Sequence, residues 1–426
     1  MLRHGAGLAF LRPLAQRGDA HARLWFDNRS QTDLFALQDQ LRSDTGITRG
    51  VGGCVVTSHG MAREILSKPK KFRNLEQSLV LPKWLQSMYR FAASAAYSDP
   101  FDYPSMVALE GSRLTEARGM LRGKLSKAGA EDLRPRIEQR AKELAAGLAA
   151  APAGEVDIVS GYSRPLSLGV LALLFDSTPD ELRAVCTDAE RVSRLIDLGL
   201  PLGEFRRMSA IADRIDRWTD RHIAEIDNHP NSAVGPAIAA MRAGKFTLEE
   251  VRRMVNLLIA AGYTTTISVI SSGIKLLIDN PDQLALLRER PDLWRNATEE
   301  ILRLAGPVML IPRYSLIETE YDGQRIKSDR PVYITGVNTD PIEFEDPQVF
   351  DIRRANADAH LSFGSGAHLC LGAPLARVEI EAGLRAFFDA HHNASVVSVD
   401  PASTTLVRGW DSLVIRLSDT AVSIEK

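Results

Sequence analysis

The chain has 426 residues, of which 45% are hydrophobic and 25% are charged, a composition typical of a soluble globular protein with a sizeable core. The formal net charge of −2 gives no reason to expect nucleic acid as a partner. The apolar stretch from Ala6 to Leu11 is broken by Arg12 and Pro13 and is too short for a signal-peptide core or a membrane span. We therefore expect an N-terminal helix packed on its own domain and no integral membrane span. Three cysteines, odd in number and far apart, argue against a disulfide framework and fit a reducing cytoplasm.

In chain order, the elements predict a mostly helical protein with small β-sheets, an α+β fold. A helix is expected over 61–66, and helices dominate from 113 to about 282. The predicted strands lie at 53–57, 313–317, 332–335 and 412–417. Nothing in this order indicates the repeated strand–helix alternation of a doubly wound parallel sheet.

The longest predicted helix begins after Thr247, which can form a capping box with Glu250, and ends before Pro281. At about 1.5 Å per residue it is about 50 Å long and crosses a whole domain. Its middle, from 257 to 270, carries no charge, so we expect it to be buried on nearly every side.

The segment AAGYTTT (260–266) in this helix allows two interpretations. The helix could open at Gly262, so that threonine hydroxyls and freed carbonyls face a cavity. It could also remain a regular core helix whose threonine hydroxyls donate to carbonyls one turn back.

Near the C-terminal end, the segment FGSGAHLCLG (363–372), called the cysteine loop below, surrounds Cys370 with three glycines. A thiolate is a soft ligand that suits iron, copper or zinc. Without a second cysteine nearby, neither a tetrahedral zinc site nor an iron–sulfur cluster is supported, whereas haem iron with one axial thiolate needs only one. The alternative is an inert cysteine in a glycine-rich turn, which seven specified positions at fixed spacing disfavour.

The other residues of the cysteine loop have roles that suit a haem. Gly364 and Gly366 would let the backbone curl beneath the sulfur, and Gly372 would let the next helix approach the porphyrin. Phe363 would shield the sulfur from water, and His368 would face a haem propionate.

The stretch FGSGAHLCLGAPLAR resembles the haem-binding signature of the cytochrome P-450 family, the haem-thiolate monooxygenases, in its bacterial soluble form. The resemblance implies haem b as the cofactor, with the Cys370 thiolate as the metal ligand. It also implies one cytochrome P-450-like domain over 1–426. Within that domain we expect an N-terminal helix and small sheet over about 1–75, a helical core over about 113–305, and the cysteine loop.

Other segments extend the resemblance over most of the chain. Glu300 and Arg303 are similar to the family's ExxR helix, and Arg354 in FDIRR is the expected third member of a buried structural network. The segments 333–341 and RGWDSL (408–413) are similar to the family's connecting segment and C-terminal substrate loop.

The resemblance further implies basic partners for the haem propionates. Arg313, six residues after Pro307, is one of them, beside His368. In the helix before Lys124 the family usually has a histidine and an arginine, and the best alignment here gives Arg118 and Arg122 on one helix face. A solvated basic face is the alternative for this pair.

The long helix resembles the family's oxygen-binding stretch at Gly262 and Thr265, but Thr264 stands where the family has an acid. In the family that acid and the following alcohol relay protons for the cleavage of dioxygen. We expect catalytic roles for Gly262, Thr264 and Thr265, although a threonine can order water but cannot ionise. Protons would then come from water, from Thr265 or from a group of the substrate.

Three functional interpretations follow. The favoured one is a cytoplasmic monooxygenase that uses dioxygen and two electrons from a separate ferredoxin and reductase, or a flavoprotein, to oxidise a hydrophobic small molecule. The second is a haem-thiolate enzyme of altered reactivity, working with peroxide or catalysing a coupling or rearrangement, because the distal acid is replaced by Thr264. The third is a non-enzymatic haem or ligand binder, which the intact cysteine loop disfavours.

The expected substrate pocket is apolar, which favours a hydrophobic substrate. Its predicted lining consists of Ala260, Ala261, Thr265, Val308, Met309, Leu310, Ile311, Leu406 and Val407. The aromatic stretch between Phe72 and Arg113 is predicted to form a lid over the pocket or to serve in packing; its aromatic residues are Trp84, Tyr89, Phe91, Tyr97, Phe101 and Tyr103.

Overall fold

The computed structural model describes residues 7–25, 31–50, 53–74, 104–148, 154–192, 202–321, 323–402 and 407–417. Over these ranges the predicted fold class, mostly helical with small β-sheets, is confirmed. The helices are α1 (Gly7–Gln16), α2 (Ala20–Arg23), α3 (Gln31–Leu41), α4 (His59–Ser67), α5 (Gly111–Leu125), α6 (Lys127–Leu148), α7 (Arg164–Phe175), α8 (Pro179–Val192), α9 (Leu202–Ala224), α10 (Gly235–Arg242), α11 (Leu248–Asp279), α12 (Pro281–Glu289), α13 (Trp294–Ala305) and α14 (Ala373–Ala390).

The long predicted helix is α11, which runs for 32 residues. The predicted capping box is present: the Thr247 hydroxyl oxygen accepts the N–H of Glu250, and the Glu250 carboxylate accepts the N–H of Thr247 at 2.8 Å. Pro281 opens the next helix, so α11 ends at Asp279. In the described ranges, α11 is the one helix long and apolar enough to cross a membrane, and 56% of its most apolar window is buried inside the protein. Such burial is typical of a core helix.

The expectation that the middle of α11 is buried on nearly every side is wrong for one face. Ile259, Tyr263 and Ile267 are buried, but Ala261 is exposed and Thr265 is half-buried. An uncharged helix segment can border an open space because threonine and alanine are neither strongly apolar nor charged. The exposed face of α11 is therefore available to line a cleft.

The strands are β1 (Ile47–Gly50), β2 (Gly53–Val56), β3 (Phe72–Asn74), β4 (Glu155–Asp157), β5 (Ile311–Ser315), β6 (Thr319–Tyr321), β7 (Gln324–Ile326), β8 (Arg330–Ile334), β9 (Ala394–Pro401) and β10 (Trp410–Leu417). They form a five-stranded sheet in the order β1-β2-β8-β5-β3, a three-stranded sheet β4-β10-β9 and a pair β6-β7. Only β2 and β8 pair in parallel within the described residues; the other neighbours are antiparallel. The largest sheet thus joins strands from the N-terminal segment 47–74 to strands from 311–334.

The main core lies around α11, which packs on α7 and α14, while α14 also packs along α6. Gly273 on α11 permits a close approach, because a Cβ there would lie 3.0 Å from Leu384 and 3.1 Å from Ile301. A second cluster under the five-stranded sheet includes Val56, Ile65 and Leu361, the last of these two residues before the cysteine loop. Each fully buried large aliphatic side chain stabilises such a core by about 1.5–3 kcal/mol. The loop is therefore anchored to both clusters.

Candidate active site

The cysteine loop folds back on itself above the start of α14. The N–H of Cys370 donates to the carbonyl of Phe363 at 2.9 Å. Gly364 and Gly366 both have φ of 72°, the left-handed region that favours glycine. A Cβ at Gly366 would lie 2.5 Å from the carbonyl oxygen of Leu66, so the loop also needs glycine for its contact with α4.

Cys370 is the one exposed cysteine of the three, since Cys54 and Cys186 are buried. The residue is exposed, yet protein atoms surround its sulfur closely enough that burial raises the pKa of the thiol. The backbone N–H groups of Gly372 and Ala373, at the start of α14, and the charge of Arg118 act in the opposite direction. A lone thiol that faces an open space, with N–H donors and a guanidinium beside it, is suited to bind a cation as thiolate.

A cluster of charged residues packs against the cysteine loop and holds it in place. The Arg377 guanidinium on α14 donates to the Glu299 carboxylate on α13 at 2.7 and 3.0 Å, and the His360 ring lies 3.1 Å from the same carboxylate. Burial acts to raise the pKa of Glu299, but the hydrogen bonds from His360 and Arg377 outweigh it and lower that pKa to about 2. The same guanidinium lies 4.7 Å from the centre of the Phe363 ring. Phe363 is thereby held between the cluster and the sulfur-bearing turn.

The expected structural network of Glu300, Arg303 and Arg354 is brought together on α13 and the segment that follows. Arg303 donates to Glu300 at 2.7 and 2.8 Å with both side chains fully buried, and the Arg354 Nε lies 3.2 Å from Glu300. Arg303 also donates to the carbonyls of Asn338 and Pro347. Every buried charge of the network therefore has a partner, which its desolvation requires.

The predicted propionate partners differ in their placement. Arg118 donates to the Leu369 carbonyl, next to Cys370, at 2.8 Å, whereas Arg122 is exposed. The His368 ring lies 3.1 Å from the Glu110 carboxylate at the start of α5. Of the two arginines, the structure brings only Arg118 into contact with the cysteine loop.

Arg313 is buried in β5, and burial lowers its pKa to about 10, an effect that the charge of Glu110 partly offsets. Within the described part of the chain it forms no ion pair, and it donates to the carbonyl of Pro312 at 2.9 Å. A buried guanidinium costs several kcal/mol unless an anion compensates it. Its surroundings thus fit a bound acidic group.

The three threonines of α11 donate to carbonyls of the preceding turn, so the local opening of this helix is not observed. Thr264 donates to Ala260 at 3.1 Å, and Thr265 donates to Ala261 at 2.6 Å. Gly262 lies against α7, because a Cβ there would be 3.2 Å from Leu171. Thr265 and Ala261 therefore share the open face of the helix, while Gly262 serves its packing.

The sequence reasoning missed an acid on the other side of α11. Glu379 on α14, nine residues after Cys370, is buried and accepts a hydrogen bond from the Ser167 hydroxyl at 2.6 Å. Ser167 in turn lies 3.0 Å from the Thr266 hydroxyl of α11. The available signal was a glutamate on the apolar stripe of Leu375, Val378 and Ala382.

The predicted substrate-pocket residues do not all line one space. Val308, Met309 and Ile311 border a small cleft together with Arg303 and Arg408. The prediction for Leu310 is wrong, because it packs in a core cluster with Leu37 and Tyr333. The side chain of Leu310 is thus taken up by this core, and the cleft is bordered by Val308, Met309 and Ile311.

Val407, beside the segment that resembles the C-terminal substrate loop, forms an isolated β-bridge with Val308. Ala260, beside Ala261 on α11, is half-buried. The predictions for Leu406 and for the aromatic lid from Trp84 to Tyr103 lie outside the described residues.

Together these observations fit a haem held by one thiolate. Cys370 supplies a single open sulfur, and no group of three or more histidine, cysteine or acidic side chains that could bind a metal occurs among the described residues. Arg118 and Arg313 are the cations available for the acidic propionates. Ala261 lies on the open face of α11, in the segment that resembles the family's oxygen-binding stretch.

Comparison with known proteins agrees with a haem held by the thiolate of Cys370. The cytochrome P-450 family profile matches residues 196–391. A Mycobacterium tuberculosis protein provisionally named cytochrome P-450 140 is 32% identical over 94% of this chain and 93% of its own length. The 6-deoxyerythronolide B hydroxylase of Saccharopolyspora erythraea is 31% identical over 77% of this chain and 78% of its own length.

Solved structures share the fold. A crystal structure of the myxobacterial cytochrome P-450 CYP267B1 in complex with myristic acid superposes with a TM-score of 0.81, covering 93% of this chain and 99% of that one at 23% identity. The sequence resemblance is therefore confirmed by relatives that match the chain along most of its length. The chain belongs to the cytochrome P-450 family and is an oxidoreductase of the monooxygenase type.

Proposed function

We propose that this protein hydroxylates or otherwise oxidises a hydrophobic small molecule, using dioxygen and two electrons supplied by a separate ferredoxin and reductase or by a flavoprotein. The observation that carries the proposal is the presentation of Cys370. It is the exposed cysteine of the three, it follows two glycines in the left-handed region, and it lies shortly before α14 begins. A structural cysteine has no need of such a setting.

Cys370 would hold the haem through its thiolate, and the bound haem would supply the reductive activation of dioxygen. The backbone N–H groups of Gly372 and Ala373 stabilise negative charge on the sulfur. We assign Arg118 and Arg313 to the propionates, because one lies beside Cys370 and the other is buried without an ion pair in the described ranges. His368 would bind a propionate only after it leaves Glu110.

The side of the site opposite the sulfur holds the substrate and moves protons. Ala261 and Thr265 present a methyl group and a hydroxyl on the open face of α11. Thr265 can pass a proton to an acceptor in the cleft only when its hydroxyl leaves the Ala261 carbonyl. Thr264 cannot ionise and donates to Ala260, so protons would come from water, from Thr265 or from a group of the substrate.

A second candidate function also fits a site whose acid is replaced by Thr264. Because Thr264 replaces the acid, the enzyme could use peroxide, or catalyse coupling or rearrangement, rather than activate dioxygen with external electrons. Thr264 occupies its hydroxyl within the helix, which supports this second candidate. We favour the first because the relatives that match most of the chain include a named hydroxylase.

The substrate is proposed to be hydrophobic because the site's open residues, Ala261, Val308 and Val407, are apolar. One relative is named 6-deoxyerythronolide B hydroxylase, and one structural neighbour was solved with myristic acid, so we propose these two compounds as the first substrates to test. We also propose a cytoplasmic location, since all three cysteines are free.

The test is product analysis with isotopically labelled dioxygen, a surrogate ferredoxin and its reductase, and a panel that includes myristic acid and 6-deoxyerythronolide B. We expect product that carries one labelled oxygen atom and that requires the reductase. The Cys370→Ala variant should give none. Product that forms from peroxide without reductase, and not from dioxygen with it, would favour the alternative.

A further inference from the structure

Arg408, the first residue of the segment RGWDSL, is a cation without an acidic partner in the described part of the chain. Its guanidinium donates through Nη2 to the carbonyls of Leu304 and Gly306 at 2.8 and 3.1 Å, and both acceptors are neutral. The residue is half-buried, yet protein atoms surround its guanidinium closely enough that burial lowers its pKa to about 10. A guanidinium in such surroundings costs free energy that a bound anion offsets.

The other polar side chains around the small cleft that Arg408 borders already have partners. Arg303 is paired with Glu300, and the Asn338 amide donates to the Ser362 hydroxyl at 2.8 Å. By contrast, Nε and Nη1 of Arg408 donate no hydrogen bond to any residue that the structure describes. The cleft therefore has one cation whose N–H groups are left for a ligand.

Much of the remaining cleft wall is apolar. These side chains come from α3 and from the segment that leads into β5, and they are Leu34, Phe35, Val308, Met309 and Ile311. A ligand that fits such a cleft has an apolar part for the wall and an anionic group for the guanidinium. A carboxylate meets the second need, because its hydrogen bonds with a guanidinium are charge-assisted.

The backbone at Arg408 is attached to α11 beside the face that is open to the site. The Ser268 hydroxyl donates to the Arg408 carbonyl, and a Cβ at Gly409 would lie 2.9 Å from that hydroxyl. Ser268 follows Thr265 by three residues, so the two are neighbours on the helix surface. A ligand held by Arg408 is therefore held close to the helix that carries Thr265.

We propose that the substrate is a hydrophobic carboxylic acid and that Arg408 binds its carboxylate in this cleft. This inference rests on the proposed monooxygenase function and names the substrate class of that same site. The carboxylate lies against Nε and Nη1 of Arg408, and the alkyl part lies along Val308 and Met309 towards Thr265. Arg408 thus determines specificity and fixes the substrate by one end, away from the carbon that is oxidised.

Binding measured by calorimetry on the haem-loaded protein tests the charge requirement without turnover. Wild type should bind sodium myristate about tenfold to a hundredfold more tightly than myristyl alcohol, which has the same chain and no charge. Arg408→Gln keeps a donor for the Leu304 carbonyl but loses the charge, so this preference should disappear. Arg408→Lys should restore part of it. Equal affinities in wild type, or a preference that survives in Arg408→Gln, would overturn the proposal.

Arg416→Gln is the matched control. Arg416 lies on β10, a few residues further along the same segment, and it is exposed and paired with Glu155 at 2.6 Å. Its replacement also removes one positive charge, so it should keep the full preference for myristate. Loss of the preference in Arg416→Gln to the same extent as in Arg408→Gln would mean that net charge and not the cleft selects the acid.

Product analysis gives a second readout that needs no variant. A substrate held by its carboxylate presents a carbon at a fixed distance from the carboxyl group. With the surrogate ferredoxin and reductase, lauric, myristic and palmitic acids should therefore be oxidised at the same carbon counted from the carboxyl end. Oxidation at a constant distance from the methyl end would contradict the carboxylate site, also in the case that Arg408→Gln does not fold.

A small free carboxylate has the same chemistry, and acetate distinguishes it from a substrate. Acetate should compete only weakly with myristate, since it has no alkyl part for the apolar wall. If acetate raises the unfolding temperature of wild type but not of Arg408→Gln, while myristate and its alcohol bind equally, the site holds a free anion. That result would overturn the assignment to the substrate.

The two proposals fail in distinguishable ways. Loss of the thiolate signature in the carbon monoxide complex removes the proposed function whatever acid the protein binds. A normal thiolate signature without any preference for the acid removes only the carboxylate site.

Discussion

Replacing Glu379 with glutamine should change how the stability of the protein depends on pH. The pKa of this carboxyl is raised by burial from 4.5 to about 7, and each unit corresponds to about 1.4 kcal/mol. In the folded state it keeps its proton between these two values, while in the unfolded state it has lost it. The folded state therefore binds more protons in this window, and the free energy of unfolding falls as pH rises.

The size of the effect follows from the two pKa values. Wild type should lose about 3 kcal/mol of stability from this one group between about pH 4 and about pH 8. Glutamine has a similar shape and keeps a hydrogen bond to Ser167 but does not titrate. The difference in unfolding free energy between wild type and Glu379→Gln should therefore shift by about 3 kcal/mol over that range, in favour of the variant at high pH.

The assay is urea unfolding of the haem-loaded proteins at a series of pH values, with the wild-type minus variant difference plotted against pH. Glu299→Gln is the control: the pKa of Glu299 is lowered to about 2, so its contribution is present above the unfolded-state pKa of 4.5 and is lost only as pH falls below that value. Its difference curve should be flat where that of Glu379→Gln slopes. Parallel pH dependence of wild type and Glu379→Gln would refute the assignment of a buried protonated acid.

Two further predictions concern the helix and the loop. Thr264→Asp places an acid at the family's position, so it should raise the share of reducing equivalents recovered in product, measured as product formed per reducing equivalent consumed. No gain, or a loss, would mean another proton route or another chemistry. Gly366→Ala should destabilise the protein and weaken haem retention, because it combines strain of about 1–3 kcal/mol at its positive φ with a contact of 2.5 Å to Leu66. Gly364→Ala has the same φ but only His368 at 3.9 Å, so a thermal unfolding comparison should rank it milder; the reverse ranking would contradict the packing at Gly366.

The cysteine loop and α11 could be predicted from the sequence because their signals are local. A glycine pattern around Cys370, and a capping box followed by a long uncharged stretch, each lie within one segment. The strand β9 was not predicted, since its residues ASVVSVDP are mostly exposed and lack a clear alternation of apolar and polar positions.

The buried contact of Glu379 with Ser167 and Thr266 could not be predicted, because these residues meet only through tertiary packing. Ser167 is 99 residues from Thr266 and 212 residues from Glu379 along the chain. Likewise, four-residue spacing placed Arg122 beside Arg118, but a contact with the loop depends on how α5 is rotated, and Arg122 turns out exposed. Helix periodicity predicts which face of a helix a residue lies on, but it does not predict which residue of another element packs against that face.

The most direct test of the account is the absorbance spectrum of the reduced, carbon monoxide-bound protein. Cys370 as the axial ligand predicts a Soret band at the long wavelength typical of thiolate-ligated haem, and Cys370→His should move it to the shorter wavelength of histidine ligation. Cys186→Ala, which alters a buried cysteine, should leave the band unchanged. A wild-type band at the histidine-type position, or a long-wavelength band that survives in Cys370→His, would contradict the central claim.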